Sequence, residues 1–166
     1  MKTLRWLPLL PQDLESVNKI ALQVHPGLPE RPEVFKEKIL LFPEGCRKLM
    51  SGTKIVGCGI SHPWTLNSIP PLDSFLKQLP SKPDCIYAHD IAILPEARGK
   101  GASAQYMEYI KNLALEMGIS HLAGVSVYGT YILWKRFGFK IVENADLNKK
   151  LASYGPSAKY IICDIK

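Results

Sequence analysis

The run Ala88-His89-Asp90-Ile91-Ala92-Ile93-Leu94-Pro95-Glu96-Ala97-Arg98-Gly99-Lys100-Gly101-Ala102-Ser103 decides how this chain folds. Its first seven residues are short, apolar and bounded by Pro95, which cannot donate a ladder hydrogen bond, so they predict a strand. From Gly101 onward the pattern changes. Tyr106, Met107, Ile110, Leu113, Ala114 and Met117 recur at spacings of three and four, with Gln105, Glu108, Lys111, Asn112 and Glu116 opposite; this is an amphipathic helix. Gly118 stands where a left-handed residue would stop it. A helix N-terminus carries unpaired N–H groups and the positive end of a dipole, and Gly99 and Gly101 would let an anion approach the backbone. Arg98 and Lys100 add charge. The turn alone reads equally as a pyrophosphate cradle or as a tight strand–helix connection with solvated basic residues. Neither G-x-x-x-x-G-K-[ST] nor G-x-G-x-x-G occurs in the chain, which argues against a nucleotide P-loop and a dinucleotide fold.

Working outward, 166 residues form one domain, residues 1–166, with enough chain to bury a core without disulfides. At 46% hydrophobic and 22% charged the composition is that of a soluble globular protein. The net charge of +6 favours anionic ligands, but lysines and arginines are scattered. A nucleic-acid-binding reading therefore lacks the basic run interleaved with aromatics that it needs. Cys46, Cys58, Cys85 and Cys163 form no C-x-x-C pair, which suggests free thiols in a reducing cytosol and neither a zinc ribbon nor a disulfide framework. The opening MKTLRWLPLLPQDLES is broken by prolines and does not read as a signal peptide. No window reaches membrane-span length. A cytoplasmic protein is expected, with no membrane partner.

The other elements follow from the same patterns. Strands are expected at 3–7, 46–50, 54–61, 120–127, 139–143 and 159–165, and helices at 11–24, 32–42 and 129–137. His25-Pro26-Gly27 ends the first helix, and Ser51-Gly52-Thr53 joins a hairpin. Residues 62–84 hold five prolines, which disfavour extended sheet; Leu72–Leu79 within them could form a short helix. Residues 144–157 read as polar and irregular. The sum is a mixed α/β domain (α+β), with a mostly antiparallel central sheet flanked by helices on both faces.

The run DIAILPEARGKGAS resembles the strand–loop–helix core of the GCN5-related N-acetyltransferases (GNATs), whose signature is Arg/Gln-x-x-Gly-x-Gly/Ala. Arg98, Gly101 and Ser103 occupy its three defined positions; Ser103 departs from the usual Gly or Ala by a hydroxyl. WKRFGFKIV at 134–142 is similar to the family's Y-x-x-x-GF segment, and SGTKIVGCGI at 51–60 to the hairpin before the core. The three segments are in register and cover most of the chain. Against this family, 62–84 is a proline-rich insertion between strands, expected close to the open end of the sheet. There it reads as ordinary surface packing in the first place, and otherwise as a wall of the acceptor pocket with Trp64 or Phe75 contributing.

The resemblance implies an acetyl-CoA-dependent transfer of an acetyl group to a primary amine of a small molecule or peptide, with no metal. Pantetheine would lie along Ile91, Ala92 and Ile93, whose N–H groups could also polarise the acetyl carbonyl. Pyrophosphate would sit on Arg98, Gly99, Lys100, Gly101, Ala102 and Ser103. His89, expected on the face of Ile91 and Ile93, is the candidate general base, with Asp90 pointing the other way and able to act through water. No glutamate occupies the middle of the strand. Trp134 stands where the family often has a tyrosine and is assigned to the cofactor, since indole cannot protonate a thiolate. Tyr131, one turn earlier, is the candidate general acid; Tyr128 in the preceding loop is the other phenol in reach. Cys85 and His89 lie roughly 13 Å apart on one strand, too far for a nucleophile pair. The competing reading, motivated by Trp134, is a CoA-binding module without catalysis. Monomer and homodimer both remain open.

Overall fold

The computed structural model describes residues 2–166. In chain order the elements are β1 (Leu4–Pro8), α1 (Leu14–Val24), α2 (Pro32–Leu41), β2 (Cys46–Ser51), β3 (Lys54–Trp64), β4 (Cys85–Ile93), α3 (Ala102–Glu116), β5 (His121–Ser126), α4 (Tyr131–Arg136), β6 (Phe139–Ile141), α5 (Ala145–Lys150) and β7 (Lys159–Asp164). One sheet holds all seven strands in the order β1-β2-β3-β4-β5-β7-β6. Neighbours are antiparallel except β4 and β5, which run parallel because α3 carries the chain back between them.

Helices α1 and α2 cover one face, where Val17, Ile20, Phe35 and Ile39 pack on Cys58, Ile60 and Ala92. Helix α3 covers the other, with Tyr106, Met107 and Ile110 on Ile86, Ala88 and Leu122. That second contact needs a glycine. A β-carbon on Gly59 of β3 would stand 2.4 Å from the Tyr106 ring, and this ring cannot move freely: its hydroxyl donates to Gly45 O at 2.7 Å and pairs with Ser61 Oγ at 2.7 Å. Gly59→Ala is therefore expected to lower stability by about 3 kcal/mol through overpacking, read by urea denaturation; an unchanged midpoint would show that the ring has room to yield.

Three segments differ from the sequence expectation. Strand β3 runs on through Pro63, because beyond Ile60 it has no β2 neighbour, and a missing N–H on that side costs no ladder bond. Leu72–Leu79 is not helical. Asp73 and Lys77 have positive φ, the Glu37 carboxylate of α2 takes the N–H groups of Leu76 and Lys77 at 2.6 and 2.9 Å, and Arg31 clasps Asp73 at 3.0 Å. The segment's backbone bonds thus go to side chains of another element. Residues 144–157 contain α5, capped by Asn144, whose Oδ1 accepts from Leu147 N at 2.9 Å.

Two features of β4 create the site. Its pairing with β5 is confined to Ile86–Ala88 against Leu122–Gly124, after which the strands part. On the other edge Ser61 faces Ala88 and Ile60 faces Asp90, leaving His89 as the extra residue of a bulge.

Candidate acyl-transfer site

Past the parting point, the β4 backbone faces an open gap. Leu94 N donates to Val56 O of β3 at 2.9 Å, and alternation along the strand then turns the N–H groups of Ile91 and Ile93 away from β3, toward the gap. The Ile93 carbonyl on that side accepts from Arg98 Nε at 2.8 Å, so Arg98 also ties the turn to the strand end. Gly99 and Gly101 have φ of +74° and +81°, a region that L side chains rarely adopt. Neither has any atom within 4 Å of where a β-carbon would stand. Both need glycine for backbone shape, and the space above them is open. No side chain caps α3 at Gly101. Its first-turn N–H groups are thus left for an anion.

A cavity of about 640 Å³ joins this turn to the gap and to the segment between α1 and α2. Of the residues expected from sequence, it is lined by His89, Asp90, Ile91, Ile93, Arg98, Gly99, Gly101, Ala102, Ser103 and Trp134. Three are not brought to it. Ala92 is fully buried against α1 and α2, and Lys100 turns its ammonium to Glu96 O at 3.2 Å. Tyr131 points its hydroxyl at Phe139 O, 3.3 Å away, and packs in the α3-side core. The phenol of this region that does line the cavity is Tyr128, at φ +55° and stacked on His25.

The bulge changes the faces predicted for the strand. His89 does not share a face with Ile91, and Asp90 does not point away from His89. Both turn toward the α1–α2 segment: His89 Nε2 meets Glu30 at 2.9 and 3.1 Å, and Asp90 Oδ1 meets His25 Nε2 at 3.0 Å. Ile91 faces Gly59 in the ladder and so lies on the α3 side. Two imidazole–carboxylate pairs therefore stand side by side at one end of the cavity. Burial pushes the His25 imidazole down, but the Asp90 hydrogen bond and charge outweigh it, with a smaller contribution from the Ile91 backbone, and leave it above the ordinary histidine value. Burial raises the Glu30 carboxyl, yet the charge and hydrogen bond of His89 win and hold it below the usual range. His89 is only 1% exposed and His25 is 21% exposed; the Nδ1 atoms of both are buried without a partner.

His25 and Glu30 were not legible as site residues. His25-Pro26-Gly27 carries a helix-stop signal, and no spacing links position 25 to position 90. The one available hint was a titratable residue placed directly before the stop. The cysteines play no part in the cavity: all four are free and buried, and burial pushes Cys46 and Cys85 up to about 12, far from thiolate.

Residues 15–139 match the family model described as acetyltransferase (GNAT) family. The chain belongs to this family. No curated protein matches the sequence. Solved GNAT folds superpose over nearly the whole chain. Ard1 from Thermoplasma volcanium has a TM-score of 0.74 at 15% identity, covering 98% of each chain. The loading GNATL domain of CurA from Lyngbya majuscula has 0.77 at 13%, again with 98% of each chain. The GphF GNAT-like decarboxylase, solved in complex with isobutyryl-CoA, has 0.76 at 14%, covering 98% of this chain and 100% of that one. At such identities the likeness is one of fold. Among the described residues no helix is long and apolar enough to cross a membrane.

Proposed function

We propose that this GNAT protein is an acetyl-CoA-dependent N-acetyltransferase that moves the acetyl group directly to a primary amine in a ternary complex. The observation that carries the reading is the continuity of one cavity, from the uncapped, glycine-shaped N-terminus of α3, past the outward N–H groups of Ile91 and Ile93, to the His25–Asp90 pair. Each part suits one portion of the reaction. Amides of the α3 turn bind pyrophosphate, with Arg98 adding charge and Trp134 walling the thiol arm. The gap edge of β4 takes pantetheine as a strand would be taken, and its N–H groups oppose the charge that grows on the carbonyl oxygen.

His25, held by Asp90, accepts the ammonium proton. The amine nitrogen then attacks the thioester carbon; the C–N bond forms, the C–S bond breaks, and the nitrogen sheds its second proton as the thiolate gains one. Tyr128 is assigned to that last delivery in place of Tyr131, since its ring lines the cavity. His89, locked on Glu30, holds the bulge in shape. The assignment of His25 over His89 rests on its exposure, 21% against 1%.

The test is a thermal titration followed by a turnover assay. Acetyl-CoA at a hundredfold over its Kd should add about 2.7 kcal/mol, a rise in Tm of roughly 5–10 °C for a chain of this size. CoA should then be released only when an amine is supplied. Binding without release under any amine would leave the competing reading, a CoA-responsive module; no shift at millimolar ligand would overturn both.

A further inference from the structure

We infer that the acceptor is a small monoamine with an apolar body, not a polyamine, an amino acid or a peptide; this rests on the acyl-transfer reading above. The inference comes from the charge inventory and the closure of the cavity's far end. Two carboxylates line that end, Glu30 and Asp90. Glu30 is used up: both oxygens lie on His89 Nε2, and Oε2 also accepts from Asp73 N at 3.2 Å. Asp90 is not. Oδ1 meets His25, while Oδ2 has no protein partner in a side chain only 9% exposed and aimed into the cavity. A carboxylate oxygen with no protein donor is left to accept from a ligand in the cavity. One free oxygen fits one ammonium.

The surrounding walls are apolar. Leu28, Phe35 and Leu72 line the cavity there, brought in by the α1–α2 segment, α2 and the 65–84 connection. A second ammonium on a polyamine would find no second free carboxylate. Beyond histidine, the only positive lining residues among those described are Arg98 and Arg136, from the α3 turn and α4. An amino acid would bring its own carboxylate against Glu30 and Asp90, with neither arginine on the elements that form this end. An apolar body in this pocket gains by burial, at no electrostatic cost.

A peptide is excluded by shape. Tyr128 reaches from the β5–α4 connection to the α1–α2 segment: its hydroxyl is 3.2 Å from where a β-carbon on Gly27 would stand, and its ring stacks on His25 at a centroid distance of 6.1 Å. This bridge roofs the acceptor end. A chain continuing past its first residue would have to displace it. The left-handed backbone of Tyr128, unfavourable for a tyrosine, is held in place by that contact.

The test compares kcat/KM for 2-phenylethylamine, spermidine, L-alanine and a neutral tripeptide amide at fixed acetyl-CoA, alongside calorimetric binding of each amine to the CoA-loaded protein. 2-Phenylethylamine should lead the other three at least tenfold in both readouts, and Asp90→Asn should weaken its binding at least tenfold while CoA still binds. In Tyr128→Gly, which suits the positive φ, the tripeptide should gain at least tenfold relative to 2-phenylethylamine in the same variant. Preference for spermidine, alanine or tripeptide in the unaltered protein overturns the inference and leaves the acyltransferase reading standing. So does turnover of none of the four with acetyl-CoA binding intact. Loss of acetyl-CoA binding itself would remove both.

Discussion

Gly101→Glu abolishes the acetyl-CoA thermal shift while the protein stays folded. Two effects add at this position. The residue sits at φ +81°, so any L side chain costs on the order of 1–2 kcal/mol of backbone strain. That alone leaves a folded chain, since nothing lies within 4 Å of the new β-carbon. The second effect is electrostatic. A carboxylate is placed over the same unpaired amides that would hold the pyrophosphate, so ligand and side chain compete for one positive helix end. Affinity should fall at least a hundredfold, about 2.7 kcal/mol. Gly101→Asn is the control, because asparagine tolerates the left-handed region and is neutral; it should keep most of the shift. Equal binding by the glutamate variant and the unaltered protein, measured by calorimetry, would move the cofactor away from α3.

His25→Ala should lower kcat about a hundredfold, within the range that general base catalysis supplies, with acetyl-CoA binding unchanged. The pH profile carries the sharper information. A base must be unprotonated to act, so activity rises as pH climbs through its pKa. Asp90 holds the His25 value above the ordinary one, which places the inflection in kcat/KM on the alkaline side of about 6.5. In Asp90→Asn the opposing charge is gone, and burial, which lowers the value, is opposed only by the smaller effects of the Ile91 backbone and the Glu30 charge. The inflection should therefore move to lower pH as the maximal rate falls. An Asp90→Asn profile with an unmoved inflection would take the role of base away from His25. The same experiment on His89→Gln should leave the inflection where it is, since His89 is assigned to shaping the bulge.

Much of the fold is legible in the sequence. Alternation and proline placement located β4, the three-and-four spacing located α3, and the glycines between them marked the turn whose φ values are now known to need glycine. These are local properties: each depends on side chains within a few residues. The departures have different causes. Leu72–Leu79 has a helical pattern but gives its N–H groups to Glu37, whose position only the packing of α2 supplies. Asn144 caps a helix of only six residues inside a polar stretch, too short to show an apolar period.

The acceptor end could not be read in this way. The bulge at His89 arises from the register between β3 and β4, and that extra residue puts His89 on the side of Asp90, away from the Ile91 face expected for it. The partner of Asp90, His25, lies 65 positions earlier (90 − 25), and Glu30 stands 59 residues from His89. The sequence points to Tyr131 before Tyr128; the direction of each ring, set by the φ of one and the core packing of the other, puts Tyr128 at the cavity and Tyr131 in the core. By itself, then, the sequence determined a strand, a glycine turn and a helix suited to a phosphate, because dihedral preference and periodicity act over a few residues. Tertiary structure alone decided which groups gather at the far end of the cavity, because the imidazole–carboxylate pairs exist only once the register of the sheet and the docking of α1 and α2 have brought distant segments within 3 Å.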